Sequence, residues 1–228
     1  MTAQRWILAA AIAIGTGYAW LSGAFVGAGS SSEPPQASAS QALQAPEAPQ
    51  APQAPNGLEK ATFASGCFWC TEADFDKVTG VISTTSGYTG GRTPNPTYRQ
   101  VSSGGTGHAE AVEVVYDPRI VTYDALLDHY WKNVDPFTAN RQFCDVGSQY
   151  RPEIIVHNAE QRRAAEASKA TLQKRFGGQP IVVAVTDAGV FYPAEEYHQD
   201  YYQKNSAQYR FYRYGCGRDA RLEAIWGS

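Results

Sequence analysis

Between residues 33 and 57 the chain repeats Ala-Pro and Gln-Ala-Pro, with Pro46, Pro49, Pro52 and Pro55 at a period of three. Proline fixes φ and carries no amide donor, so this tract cannot supply a packed, hydrogen-bonded core. It reads as a semi-rigid spacer in the polyproline II conformation, advancing about 3.1 Å per residue. Any fold is thereby confined to residues 58–228, and residues 1–32 stand apart from it.

From Trp6 to Ser32 no residue carries a charge, and Arg5 precedes the stretch as a minimal positive flank. That pattern marks a targeting segment. It is long enough for the roughly 20 apolar residues that a membrane span requires, although Gly15, Gly17, Ser22 and Gly23 dilute it. No clean small-x-small cleavage site closes it, so an uncleaved anchor is favoured slightly over a cleaved signal peptide. The expectation is an exported protein, periplasmic or membrane-anchored, with its folded domain outside the cytoplasm and membrane contact only through this segment. With 228 residues, 43% of them hydrophobic, the chain has material for one sizeable core. A formal net charge of -3 without any run of Lys or Arg leaves no electrostatic footprint for a nucleic acid. Nothing requires more than a monomer.

Within 58–228, Lys60–Ala64 reads as a short strand, Ser65-Gly66 as a turn and Cys67–Val78 as a helix, which puts Cys67 at a helix start. Val81–Tyr88 is β-branched in character and leads into an exposed Gly/Pro-rich loop, Thr89–Pro96. His108–Tyr116 alternates: Ala109, Ala111, Glu113 and Val115 take one face, while Glu110 shares the other with Val112 and Val114. A helix over Tyr123–Val134 carries Leu126, Leu127, Tyr130, Trp131 and Val134 on an apolar stripe. Glu153–His157 reads as a strand; Asn158 then opens a long helix, with Gln161 at the reciprocal capping position and Gly177-Gly178 at its end. Ile181–Thr186 reads as a buried strand, and Pro193–Tyr202 as a helix opened by proline and acidic residues. Strands and helices interleave without a strict βαβ period, which makes the fold class α+β in two layers.

All four cysteines, Cys67, Cys70, Cys144 and Cys216, lie beyond the spacer, and in an oxidising compartment structural disulfides are the bland expectation. Local chemistry competes with it. A helix N-terminus favours a thiolate through its unpaired N–H groups and its dipole, and Cys67 has that address, bordered by the aromatic surface of Phe68 and Trp69. A buried structural thiol is the alternative for the same position. Cys67 and Cys70 also form C-x-x-C, which suggests thiol–disulfide exchange or half of a zinc site. Cys144 and Cys216 form no second pair, which speaks against zinc, and two bulky aromatics are a poor match to an open, partner-facing disulfide. Glu110 on a valine face is either a carboxyl whose burial raises its pKa or an edge glutamate in a salt bridge.

Several blocks in order carry a resemblance: Gly66-Cys67-Phe68-Trp69-Cys70, Gly87-Tyr88-Thr89-Gly90-Gly91, Thr97-Tyr98-Arg99, Thr106-Gly107-His108-Ala109-Glu110-Ala111-Val112, Asp145-Val146-Gly147-Ser148-Gln149-Tyr150-Arg151, and Phe191-Tyr192-Pro193-Ala194-Glu195-Glu196-Tyr197-His198-Gln199. Over Leu58–Trp226 the sequence resembles the A-type peptide methionine sulfoxide reductases. The resemblance implies a ferredoxin-like core with a mixed sheet, and a Cys67 sulfur that attacks the sulfur of a methionine S-sulfoxide while Phe68 and Trp69 hold the ε-methyl group. A sulfoxide oxygen leaves poorly until it is protonated, and Glu110 is the acid expected to supply the proton. By the same resemblance Tyr98 and Tyr150 donate hydrogen bonds to that oxygen, and Asp145 orients the site. His198 reads as a structural hydrogen-bonder.

Attack leaves Cys67 as a sulfenic acid, with which a second thiol condenses. Cys216 lies between Gly215 and Gly217, whose freedom gives the segment mobility, so it is the first choice for that resolving thiol, ahead of Cys144 and Cys70. The commonest pattern of the family has a longer glycine-rich tail, often with two cysteines, and no cysteine before the motif aspartate. No bound cofactor and no metal are implied. The expected substrates are oxidised proteins or peptides and free methionine sulfoxide, and the expected electron donor is a thioredoxin-like dithiol.

Overall fold

The computed structural model describes residues 57–227; residues 1–32, expected to be a targeting segment, and, Gly57 apart, the tract 33–57 lie outside the described residues. The strands are β1 (Glu59–Ser65), β2 (Val81–Thr89), β3 (Ala109–Tyr116), a short pair β4 (Arg141–Gln142) and β5 (Asp145–Val146), β6 (Pro152–Val156), β7 (Ala184–Asp187) and β8 (Tyr192–Pro193). The helices are α1 (Phe68–Phe75), α2 (Tyr98–Ser102), α3 (Tyr123–Lys132), α4 (Ala159–Arg175), α5 (Tyr201–Lys204), α6 (Ser206–Gly215) and α7 (Arg218–Trp226). Six strands form one mixed sheet in the order β7-β6-β1-β3-β2-β8, and β4 pairs with β5 separately. Within that sheet β6 and β7 run parallel and the other neighbouring strands antiparallel. The molecule is α+β with a mixed sheet packed by helices, as the sequence predicts.

The alternation of β3 decides which residues meet the helices. Val112, Val114 and Tyr116 join Phe63 of β1, Ile154 and Val156 of β6, Phe68 and Phe75 of α1 and Leu126, Leu127 and Tyr130 of α3 in the main core. Ala109 and Ala111 face the other way, in a small cluster with Ala64 and Ile155. Phe63 stacks on Phe75 at 4.7 Å and on Tyr130 at 5.2 Å between ring centroids, and a fully buried ring of this kind contributes about 2–3 kcal/mol. The cap of α4 is the expected one: Asn158 Oδ1 accepts from the Gln161 amide at 2.8 Å and Gln161 Oε1 accepts from the His157 amide at 2.9 Å. Such a cap stabilises a helix by about 1 kcal/mol.

Two elements depart from the local signals. The expected strand over Ile181–Thr186 begins at Ala184; Ile181 and Val183 are buried ahead of it, and the Val182 amide donates to Pro136 O instead of to the sheet. The expected helix over Pro193–Tyr202 does not form. Tyr192 and Pro193 pair with Tyr88 and Gly87 as an edge strand, the Ala194 amide donates to Ser86 O, and only a short 3-10 turn at Glu196–His198 and α5 come after it. Pairing with β2 satisfies the backbone that a helix would have satisfied locally, so tertiary contact overrides a favourable N-terminus. Conversely, α2 falls just past the expected loop: Gln100 Oε1 accepts from the Thr97 amide at 2.9 Å, a short capping signal.

Candidate active site

The turn from β1 into α1 determines the site. Gly66 adopts φ +90, and a Cβ there would lie 2.5 Å from Cβ of Gln142 in β4, so only glycine lets the β4–β5 hairpin approach. Cys67 follows as the residue that opens α1. Its sulfur lines a cavity of about 60 Å³ together with Phe68, Trp69, Tyr98, Glu110, Asp145, Tyr150 and Tyr212. The catalytic and substrate-binding candidates Cys67, Phe68, Trp69, Tyr98, Glu110, Asp145 and Tyr150 are thus brought to one place from α1, α2, β3, β5 and the turn Ser148–Tyr150.

Glu110 is 2% exposed, and burial pushes its carboxyl up to about 8 against a hydrogen bond from the Phe68 amide (3.1 Å) that works the other way. It is therefore largely protonated at neutral pH. This placement also corrects the expectation that the helix start serves Cys67: the first helical amide is engaged by Glu110, and the Cys67 side chain makes no cap hydrogen bond. Burial pushes the Cys67 thiol up, and its hydrogen bond to Cys70 adds to the rise. That same bond, helped by Arg218 and Arg213, brings Cys70 down to about 7.

The aromatic wall is held from behind. Trp69 donates through Nε1 to His198 Nδ1 at 3.0 Å and stacks on Tyr201 at 3.7 Å between centroids, with the Tyr212 ring edge-on at 5.8 Å. Phe68, 1% exposed, packs beside Tyr88, Tyr98 and His198. His198 is thus a buried hydrogen-bond partner of the wall. Glu195 accepts from the Tyr98 amide at 2.8 Å and from the Tyr88 hydroxyl at 2.9 Å, which seats α2 and its tyrosine over the cavity. Burial first, and the nearby Glu110 second, raise the hydroxyls of Tyr98, to about 12, and of Tyr150, so both remain phenols able to donate. Asp145 accepts from the Tyr212 hydroxyl; burial raises its carboxyl and that bond lowers it. Sequence reasoning misses Tyr212 and Glu195 as site residues. Glu195 sits in one of the motif blocks, but in a tyrosine-rich C-terminal stretch nothing distinguishes Tyr212 from its neighbours.

The resolving candidates divide into two pairs. Cys67 and Cys70 are free and buried, whereas Cys144 and Cys216 are joined in a disulfide. Cys216 is placed against Cys144, at the junction where α6 ends and Gly217, at φ +69, turns the chain into α7. Asp145 stands beside the bond, 4.0 Å from the Cys216 sulfur, and reaches the cavity from there. Cys144, Asp145 and Cys216 cluster closely enough to hold a metal ion, but the two sulfurs are bonded to each other and offer no thiolate.

A family model described as peptide methionine sulfoxide reductase matches residues 59–228. The chain is 52% identical over 171 residues to a protein of Listeria innocua named peptide methionine sulfoxide reductase MsrA, covering 74% of this chain and 96% of that one. Among solved structures it is similar to Mxr1 from Saccharomyces cerevisiae in its reduced form, with a TM-score of 0.64, 32% identity, and coverage of 68% of this chain and 90% of that one. It is also similar to the methionine sulfoxide reductase A of Corynebacterium diphtheriae, with a TM-score of 0.59, 37% identity, and coverage of 66% and 76%.

Proposed function

The chain belongs to the A-type peptide methionine sulfoxide reductases, and from that membership we propose a route by which its own residues reduce methionine S-sulfoxide. The activity is the thiol-dependent reduction of methionine sulfoxide to methionine. The observation that carries the residue assignment is the shared cavity of Cys67 and a buried Glu110 whose carboxyl is raised to about 8. The Cys67 sulfur bonds to the sulfoxide sulfur, with Phe68 and Trp69 around the ε-methyl group. Glu110 gives its proton to the oxygen and regains one from the Cys67 thiol; Tyr98 and Tyr150 donate to the oxygen as charge gathers there. The hydroxyl then passes from the methionine sulfur to the Cys67 sulfur as the bond between the two sulfurs breaks; methionine departs, its sulfur reduced by two electrons, and Cys67, oxidised by two, is left as the sulfenic acid.

Cys216 then condenses with the sulfenic acid, releasing water, and the Cys144 thiolate attacks the Cys216 sulfur to free Cys67. The Cys144–Cys216 bond fits the product of that second exchange. A thioredoxin-like dithiol is proposed to reduce it, and no bound cofactor enters any step. Free and protein-bound methionine sulfoxide both fit a cavity that receives only the side-chain tip. An alternative, a tethered thiol–disulfide oxidoreductase working through Cys67 and Cys70, finds little support: the two sulfurs belong to residues 7% and 1% exposed, out of reach of a protein disulfide.

The full-length protein is to be incubated with each epimer of methionine sulfoxide and dithiothreitol. Reduction of the S-epimer that vanishes in Cys67→Ser is the expected result. An unaltered rate in Cys67→Ser, or a preference for the R-epimer, overturns the assignment, and loss of protein-disulfide exchange in Cys70→Ser would favour the alternative. We further propose that the protein is exported as a monomer and meets the membrane through residues 1–32 alone; among the described residues no helix is long and apolar enough to cross a membrane. Protection of the catalytic domain from protease that persists after the outer barrier is opened, and ends only when the inner membrane is lysed, would refute export.

A further inference from the structure

The aromatic wall of the cavity leans on a segment from the far end of the chain, and α1 grips that segment through a residue the reaction does not use. Glu72 is 1% exposed and lies three residues after Trp69, hence on the same side of α1. Trp69 donates to His198 Nδ1 and stacks on Tyr201 with an interplanar angle of 9°. Between those two contacts Gln199 clasps Ser86 of β2, accepting from its amide and donating to its carbonyl, each at 2.9 Å. The Asp200 amide donates to Glu72 Oε2 at 2.9 Å. Each residue from His198 to Tyr201 is thereby fixed to α1 or β2. Asp200 is also where the chain turns: it adopts φ 53 and ψ 30, a left-handed conformation that a non-glycine residue keeps when its surroundings enforce it. Before it the His198 and Gln199 amides bond locally to Glu195 O and Glu196 O, and after it the Gln203 and Lys204 amides return to Asp200 O. The Asp200 amide leaves that local pattern for a side chain 128 residues earlier. Burial first, then Asp76 and Asp200, push the Glu72 carboxyl up to about 7, while the Asp200 amide draws it back; in either protonation state an oxygen remains to accept.

We propose that Glu72 is a positioning residue for the reductase reaction: by holding the Asp200 amide it locks the left-handed turn that lays the Tyr201 ring on the Trp69 indole, and so sets the wall that meets the ε-methyl group. The inference rests on the reductase reading of the same site and adds a residue that never touches substrate. Gln199 pins the segment before the turn and the Tyr201 stack lies after it, so the direction in which the chain leaves Asp200 decides whether the ring covers the indole. Without an acceptor at position 72 the amide is left unpaired, and the left-handed residue loses the contact that offsets its strain. The turn then relaxes and Tyr201 leaves the half-buried indole, which keeps His198 and the edge of Tyr212 as partners. Asp76, one turn further along α1, accepts from the Tyr202 hydroxyl at 2.9 Å; it keeps α5 on the helix when the Glu72 bond is removed, which confines the effect to the turn. Contact with a methyl group is made alike in the bound substrate and in the transition state, so its loss weakens binding more than it slows the chemistry.

The test follows the full-length protein with methionine S-sulfoxide as substrate and dithiothreitol as reductant. Glu72→Leu is expected to raise KM by about tenfold with kcat changed by at most about twofold, and to shift the tryptophan emission, a shift that disappears when Trp69→Phe is added. Glu72→Gln, which keeps an accepting oxygen, is expected to recover most of the loss in KM. Asp200→Pro removes the same hydrogen bond from the other side, and Gln199, at φ -69 and ψ 136, already has the conformation that a following proline requires. It is expected to raise KM as Glu72→Leu does, and it decides the matter should Glu72→Leu fail to fold. Asp200→Gly, which keeps both the amide and the positive φ, is expected to raise KM by at most about twofold. An unchanged KM in Glu72→Leu or in Asp200→Pro overturns the proposal, as does a kcat that falls as far as KM rises, or a KM in Glu72→Gln as high as in Glu72→Leu. Single-turnover release of methionine by the reduced wild type is measured in parallel. Failure there sinks the reductase reading itself, whereas normal release with an unchanged KM in the variants sinks only the role of Glu72.

Discussion

At residue 110 burial does two opposed things. A carboxyl raised to about 8 is a proton donor at neutral pH, and it is also a group that the folded protein has forced away from its preferred ionised state. The folded value lies above the unfolded one, so no penalty exists below about pH 4.5; it grows as the pH rises from there and is complete above about pH 8. At pH 7 this amounts to as much as about 3 kcal/mol. Glu110→Gln is therefore expected to resist urea better than the wild type at pH 7, and to match it near pH 4. The same substitution removes the acid, and kcat/KM should fall by about 10²–10⁴. In the wild type kcat/KM should decline as the pH passes about 8, the value at which Glu110 loses its proton; a profile flat from pH 7 to pH 9.5 would count against this role. His198 acts through another residue. Its Nδ1 accepts from Trp69, so His198→Ala should raise KM by about tenfold with a smaller change in kcat, and shift the indole fluorescence. His198→Asn, which retains an acceptor, should recover part of the loss.

Among the elements, the connection from β1 to α1 concentrates the constraints. Gly66 holds a left-handed backbone while Gln142 approaches to within reach of a Cβ, and Gln142 bonds Asp135 through both ends of its amide. An alanine here would meet both the strain of positive φ and the β4–β5 hairpin, which carries Cys144 and Asp145. Gly66→Ala is expected to cost about 2–4 kcal/mol by chemical denaturation. Because the hairpin supplies one wall of the cavity, kcat/KM should drop by about tenfold or more even where the variant remains folded. Stability and activity both unchanged would mean that the hairpin moves aside freely. Near the C-terminus α6 and α7 meet at Cys216-Gly217, and the tight junction there corrects the picture of a glycine-loosened segment: in this oxidised state the residue is held by its bond and by the Cys144 amide.

For the molecule as a whole, Arg218 connects parts that are distant in sequence. At 2% exposure it donates to Ser65 O, Ser65 Oγ and Asn133 O and approaches Asp74 at 3.7 Å. Asp74 is paired in turn with Arg213 at 2.9 Å. These contacts tie the end of β1, the end of α3, α1 and the α6–α7 junction beneath the two free thiols. Removing one member of a buried pair leaves the rest uncompensated, so Arg218→Ala should destabilise the domain by about 3–5 kcal/mol. Lysine cannot reproduce the planar fork and should restore little. Cys70, which the guanidinium helps to hold at about 7, should titrate higher in Arg218→Ala, measurable as a slower reaction with an alkylating reagent in the fully reduced protein.

The order in which the sequence yields its information tracks the range of the interactions involved. Periods of two and of three to four residues report local backbone geometry, which is why the β3 alternation, the apolar stripe of α3 and the cap of α4 are legible in the chain alone, and why Glu110 can be assigned to the face that meets α1. The motif blocks likewise locate Cys67, Phe68, Trp69, Tyr98, Asp145 and Tyr150. Features that depend on pairing at long sequence separation are not legible there. The edge strand β8 in place of a helix depends on the free edge of β2, and the place of Tyr212 on an Asp145 carboxylate 67 residues away. Local signals assign the amide at the head of α1 to a thiolate, yet it serves Glu110 because a strand from another part of the chain brings a carboxyl to it. The pairing of Cys144 with Cys216 belongs to this second class too, since sulfurs separated by 72 residues are made neighbours only by a hairpin and a helix junction packed against one another.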